Sequence, residues 1–263
     1  MNRAIGVFDS GVGGLTVVRE LKKQLPAESI IYLGDTARVP YGIKSKEAII
    51  RFTTEGLLFL LDRRVKLVII ACNTSSSLAL PVLKKNFKVP ILGVIQPAIK
   101  KAVKTTRNKR IGVIGTKATI KSSIYETEIK KLDPKIQIYS YPCPLFVPLV
   151  EEGWVDGKIT LEVAKRYLEP LKERDVDTLI LGCTHYPLLK TVIRKIMKEI
   201  TLIDSARQVA GETKDLLLNE GLLNLKKKKS EDVFYVTDEP DNFSKLTKLF
   251  LGCKLKNVKR TEL

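Results

Sequence analysis

Histidine occurs once in this 263-residue chain, and cysteine only four times, at positions 72, 143, 183 and 253 with no two at CxxC spacing. That spread argues against a structural zinc site and against a thioredoxin-like dithiol. No stretch approaches the roughly 18 apolar residues of a membrane span. The amino-terminal Met1 to Asp9 has one basic residue and only a strand-length apolar run, unlike a secretory leader. Together these absences describe a cytoplasmic protein with free thiols, long enough to bury a core without disulfides. For Cys143 and Cys253 the expectation is a small buried apolar side chain.

Acidic residues are in deficit, 29 against 46 Lys and Arg, for a formal charge of +17. The basic residues are scattered, however, and the one true run, Lys226 to Lys229, lies between a Leu-rich segment and a strand-like Val233 to Val236. A solvated loop accounts for that run better than a nucleic-acid surface does. DNA binding is the alternative of a different class, and it requires a salt-sensitive affinity that survives mutation of Cys72.

What is present centres on Asp177-Thr-Leu-Ile-Leu-Gly-Cys183-Thr184-His185-Tyr-Pro187, which puts a cysteine two residues before the only histidine. Lys66-Leu-Val-Ile-Ile-Ala-Cys72-Asn73-Thr74 has the same layout: a short apolar run, a small residue, then Cys with polar neighbours. Each run reads as a buried strand, so each thiol falls just past a carboxyl end. In parallel α/β sheets that edge is where ligands bind.

The chain in order repeats this scheme. Ala4 to Phe8 is strand-like, and Asp9-Ser10-Gly11-Val12-Gly13-Gly14 is a glycine turn into a helix with Leu15, Val18, Leu21 and Leu25 on one face. Asp9 could serve as the N-cap of that helix, over residues 11 to 20. A dinucleotide fingerprint fails here, because Thr occupies position 16 and Asp9 would repel a pyrophosphate. Further strands are expected at Ile30 to Leu33 and Val89 to Ile95, with a helix carrying Ile49, Phe52, Leu57 and Leu60 between them.

At Ile111-Gly-Val-Ile-Gly-Thr116 the pattern of Ile5 to Ser10 returns after 106 positions, Val39-Pro40 returns at Val147-Pro148 after 108, and Cys72 at Cys183 after 111. Near-constant offsets predict two similar halves. The expected fold is α/β: two pseudo-symmetric domains with mainly parallel sheets, residues 1–96 plus 207–263 and residues 97–206, and the active site in the cleft between them. A helix is predicted over Leu188 to Ile200, and the tail offers one at Val209 to Leu218, a strand at 233 to 236 and a last helix near 243 to 251.

Two thiols across a cleft suit one chemistry well, the removal of an amino acid's α-proton from one face and its return on the other. One sulfur must start as thiolate and the other as thiol, and an ordinary cysteine pKa of about 8.5 allows both. Near-attack range of about 3 to 3.5 Å on each side puts the sulfurs roughly 7 Å apart, too far for a disulfide. Asn73, Thr74 and Thr184 are placed to hold the substrate carboxylate as charge develops. Asp9, His185 and Glu151 lie on strand-end loops that could open into the same cleft. No metal motif, Schiff-base lysine context or phosphate loop is evident, so no cofactor is implied.

Val7-Phe-Asp-Ser-Gly-Val-Gly-Gly-Leu-Thr16, Gly34-Asp-Thr-Ala-Arg-Val-Pro-Tyr-Gly42, Ala71-Cys-Asn-Thr74 and Gly182-Cys-Thr-His-Tyr-Pro187 in this order resemble the motifs of the bacterial glutamate racemases. The resemblance spans nearly the whole chain. It implies cofactor-independent interconversion of L- and D-glutamate, supplying D-glutamate for peptidoglycan, commonly by a homodimer. It implies that Cys72 deprotonates D-glutamate with help from Asp9, and that Cys183 deprotonates L-glutamate with help from Glu151 and His185. Substrate contacts carried over are Asp9, Ser10, Tyr41, Gly42, Asn73, Thr74, Thr184 and His185, with Thr116 and Thr119 as further candidates. A racemase of the same superfamily acting on aspartate is the alternative within enzymes, and a catalytically silent amino-acid-binding module is another.

Overall fold

A computed structural model describes residues 3–225, 231–255 and 257–263, and every strand pairing among them is parallel. The first half runs β1 (Ile5–Asp9), α1 (Leu15–Gln24), β2 (Ile30–Gly34), α2 (Lys46–Asp62), β3 (Leu67–Ile70), α3 (Asn73–Leu78), α4 (Leu80–Asn86) and β4 (Ile91–Gly93). Helix α5 (Ile95–Thr105) leads into β5 (Arg110–Gly115), α6 (Lys117–Lys121), α7 (Ile124–Leu132), β6 (Gln137–Pro142), α8 (Phe146–Glu151), α9 (Lys158–Lys172), β7 (Thr178–Gly182), α10 (Lys190–Ile196) and β8 (Thr201–Asp204). The tail adds α11 (Ser205–Asn219), β9 (Val233–Val236), α12 (Pro240–Leu251) and β10 (Val258–Arg260).

The strands form two sheets, in the orders β10-β9-β2-β1-β3-β4 and β6-β5-β7-β8. Without the two tail strands, the first order is β2-β1-β3-β4, the same as the second. The repeat expected from the sequence offsets is therefore a repeat of topology. Strands β1, β3 and β7 are buried along their whole length, as strands covered on both faces must be, which is why they read as unbroken apolar runs. In each sheet the chain winds outward on one side of the first strand and then crosses to the other, so β1/β3 and β5/β7 are points where the winding reverses. Side chains just beyond the strand ends share a crevice at such a point. Helix α11 packs on both α1 and α5, and one apolar cluster runs through both halves.

Several boundaries differ from the sequence reading. The helix predicted over Leu188 to Ile200 is a 3-10 turn (Tyr186–Leu189) followed by α10, and the chain then forms β8, which the periodicity hid. Ile193, Ile196, Ile200 and Ile203 keep helical spacing straight across the break, so pattern alone carries the helix too far. Helix α11 starts at Ser205, earlier than Val209, because the Asp204 carboxylate accepts from the amides of Ala206 (2.9 Å) and Arg207 (3.4 Å). The strand expected at Val89 to Ile95 is reduced to β4, with Ile95 already in α5. Asp9 does not cap α1, whose N-cap is Gly14; it accepts from the Gly11 amide at 3.0 Å. Cys143 is buried as expected but Cys253 is exposed. The Lys226 to Lys229 run lies outside the described residues.

The tail returns to the first sheet, where β9 pairs with β2. Its approach is tied down by a buried ion pair: Lys66 Nζ is 2.6 Å from Glu28 Oε2, with side-chain exposures of 5% and 2%. Lys66 also donates to the Leu222 carbonyl at 2.7 Å, and Glu28 Oε1 accepts from the Asn224 amide at 2.8 Å. Removing one partner of such a pair leaves a buried charge uncompensated. Lys66→Ala is expected to cost about 3–5 kcal/mol in urea unfolding; a cost below about 1 kcal/mol would mean that the pair behaves as a solvated surface pair.

Candidate active site

The two reversal points face each other across a cavity of about 300 Å³ that both Cys72 and Cys183 line. Each thiol is nearly covered, at 6% and 7% exposure, and neither is in a disulfide. Ser10, Tyr41, Gly42, Asn73, Thr74, Thr116, Glu151, Thr184 and His185 line the same cavity. Asp9 and Thr119 do not; they sit behind its wall, each 1% exposed.

Around Cys183 the groups form a line. His185 Nδ1 lies 3.7 Å from Cys183 Sγ and 3.4 Å from Thr184 Oγ1, and His185 Nε2 lies 3.0 Å from Glu151 Oε1. Burial alone would drive the proton off this imidazole, but the bonds and charges of Cys183 and Glu151 win, and its pKa is pushed up to about 10. A cation therefore stands beside the Cys183 sulfur near neutral pH.

Cys72 is in the opposite setting. Burial, and then the nearby Asp9 carboxylate, push its thiol up to about 11, against smaller opposing bonds from Ser10 and Ser75. It holds its proton near neutral pH. Asp9 is itself raised above the usual carboxylate range by burial, although His185 and the Gly11 and Gly14 amides pull the other way. Its Oδ1 is buried without a hydrogen-bond partner among the described residues.

Polar groups on the remaining walls are preset. Tyr125 donates to Asn73 Oδ1 at 2.9 Å, which fixes the amide so that Asn73 Nδ2 is a buried donor with no partner among the described residues. The hydroxyls of Thr74, Thr116 and Thr119 form a triangle joining the two halves, with separations of 3.0, 3.3 and 3.0 Å. Tyr41 donates to the fully buried Asp35, which also takes Arg38 Nε at 2.6 Å and Thr237 Oγ1 at 3.0 Å. Gly42 is needed for close approach, since a Cβ there would lie 2.8 Å from Thr116 Cβ.

Sequence reasoning did not single out Tyr125, Asp35, Phe250 or the wall residue Lys117, and it named Val147 only as part of the repeat. Phe250 meets the His185 ring edge to face with centroids 5.1 Å apart, although the two lie far apart in sequence. Asp35 stands within a quoted motif, and its signal was a carboxylate followed by Arg38 and Tyr41; the others had no local signal.

Two parallel sheets of matching order, meeting at a cavity with one thiol from each, belong to a recognisable class. Residues 5–213 match the family described as Asp/Glu/Hydantoin racemase, and the chain belongs to that family. Within it the chain stands with the glutamate racemases. It is 47% identical over 262 residues to the glutamate racemase of Geobacter metallireducens, covering 99% of this chain and 97% of that protein. Against the glutamate racemase of Persephonella marina it is 50% identical over 260 residues, with 99% and 97% coverage. The crystal structure of glutamate racemase from Francisella tularensis in complex with D-glutamate superposes with a TM-score of 0.94 at 43% identity, covering 99% of this chain and 98% of that one.

Because the folded state holds the imidazole proton to about pH 10 and a free side chain releases it near 6.5, the stability from this protonation is complete below about pH 6.5 and is lost as pH rises through about 10. With a single histidine, its ring resonance is unambiguous in NMR. It should titrate near pH 10 in the native protein and lower in Glu151→Gln; titration near 6.5 in the native protein would contradict the relay.

Proposed function

We propose that the chain interconverts L- and D-glutamate by direct proton transfer between substrate and two thiols, without a cofactor. The observation that carries this reading is that Cys72 and Cys183 open on one cavity in opposite electrostatic settings. The names of the full-length relatives, and the D-glutamate held by the Francisella protein, support glutamate as substrate.

In this mechanism the Cys183 thiolate, stabilised by the His185 cation and through it by Glu151, takes the α-proton of L-glutamate. The electron pair left on the α-carbon spreads into the carboxylate, where the free Asn73 amide and the Thr74 and Thr184 hydroxyls are donors in reach of the cavity. The Cys72 thiol gives its proton to the opposite face. D-glutamate leaves with Cys183 protonated and Cys72 ionised, and the reverse direction begins from that state. Asp9, buried against Cys72, acts as its positioning and proton-holding neighbour. Ser10, Tyr41 and Gly42 complete the substrate wall. The domains of this reading are residues 1–96 with 207–263 and residues 97–206, and the enzyme works as a cytoplasmic homodimer that feeds peptidoglycan synthesis.

Circular dichroism of L-glutamate should decay to zero with the protein, while L-aspartate should be unaffected. In deuterium oxide the product enantiomer should carry solvent deuterium at the α-carbon. Cys72→Ala and Cys183→Ala should each lose about 10²–10⁴-fold in racemisation and keep the native fold. Full activity in either variant, or faster turnover of aspartate, would overturn the assignment.

A further inference from the structure

The loop that carries Cys183, Thr184 and His185 has no regular structure of its own between β7 and the 3-10 turn at Tyr186. A relay with a 3.7 Å and a 3.0 Å arm needs its imidazole held in one place. Besides Glu151 and Phe250, contacts to this loop come from the other half of the chain, from the turn that opens α1.

Gly13 lies against the ring. A Cβ built there would be 2.2 Å from Thr184 Oγ1 and 2.6 Å from both Cε1 and Nδ1 of His185, closer than any side chain tolerates. The ring has nowhere to retreat, because Glu151 bonds its Nε2 and Phe250 meets it at 5.1 Å between centroids. Thr16, fully buried one turn on, has its hydroxyl 3.0 Å from the Thr184 carbonyl and 2.9 Å from that of Gly13. It bridges the two loops. Helix α1 buries Thr16 together with Leu15, Val17, Val18 and Leu21, and among these only Thr16 has a side-chain polar group, which it directs to the Thr184 carbonyl of the other half.

We propose that Gly13 and Thr16 are positioning residues for proton transfer at Cys183: the glycine leaves room for the His185 ring and the threonine fixes the carbonyl of the preceding residue. This rests on the racemase reading given above. The charged and titratable groups facing the ring are Cys183, Glu151 and, at longer range, Asp9.

Gly13→Ala, Thr16→Val and Thr16→Ser separate this role from a merely structural one. Misplacing the ring should lower kcat/KM about a hundredfold in Gly13→Ala. Loss of the hydroxyl bridge should lower it about tenfold in Thr16→Val, with Thr16→Ser close to the native protein. The two enantiomers have equal free energy, so kcat/KM falls equally in both directions, and direction must be read from isotope effects. With the Cys183 step slowed, the primary deuterium effect on kcat/KM should rise for α-deuterated L-glutamate and fall for α-deuterated D-glutamate. The single histidine resonance should also titrate lower in Gly13→Ala and Thr16→Val. Native isotope effects and native titration in folded Thr16→Val, which is nearly isosteric, would overturn the proposal whatever happens to Gly13→Ala. If the unaltered chain does not racemise glutamate, the functional reading fails, while the titration still decides whether these residues position the ring.

Discussion

Parallel strands deliver their side chains to ligands at one edge only, and two neighbouring strands share a crevice there only where the chain reverses its winding. Strands β1 and β3 meet in this way in the first sheet, and β5 and β7 in the second. Turned toward each other, the two crevices bring Cys72 and Cys183 to one cavity although they lie far apart in sequence. A single sheet offers its strand ends from one side. The proton transfer proposed above needs a carrier on each face of a planar carbanion, and a repeated topology supplies one from each sheet.

The scaffold repeats but the chemistry does not. Shifting Cys72-Asn73-Thr74 by 111 positions gives Cys183-Thr184-His185, so the place of a neutral hydroxyl in one half is taken by an imidazole in the other. That substitution sets the electrostatic difference between the thiols. The His185 cation stands beside the Cys183 sulfur, while burial and Asp9 keep the Cys72 proton on sulfur near neutral pH. Symmetric surroundings would favour the same state at both sulfurs, and the two-base exchange proposed above needs them to differ.

Strand ends and thiols were legible in the sequence because local order generates them: an apolar run buried on both faces, then a small residue, then Cys and a polar pair. The offset between the motifs carried the repeat for the same reason. Contacts between distant segments left no such mark. Nothing around Tyr125 announces that it orients the Asn73 amide, and the glycines of residues 11 to 14 read as a turn when Gly13 also makes room for a ring from the opposite half. Short strands were lost where their residues are partly exposed, as in β6, or where helical spacing runs on through them, as in β8. Asp9 read as a helix cap because its spacing to α1 allows it, yet burial beside Cys72 gives that carboxyl a different environment.

The tail, which has no counterpart in the repeat, braces loops from both halves. Thr237 holds Asp35, and through it Arg38 and the wall residue Tyr41. Phe243 packs on Tyr32, whose hydroxyl donates to the Gly11 carbonyl at 2.6 Å in the loop beside Asp9. Phe250 meets the His185 ring of the second half. Loops at strand ends have few neighbours of their own, because the sheet lies beneath them and the cavity above. A layer from outside the repeat supplies the missing side contacts, so strand-end groups can be held at relay distance while the ligand side of each stays open. Without β9, β10 and α12, two matched sheets would still place the thiols at facing edges, but the imidazole and the Tyr41 loop would each lose one side of their support.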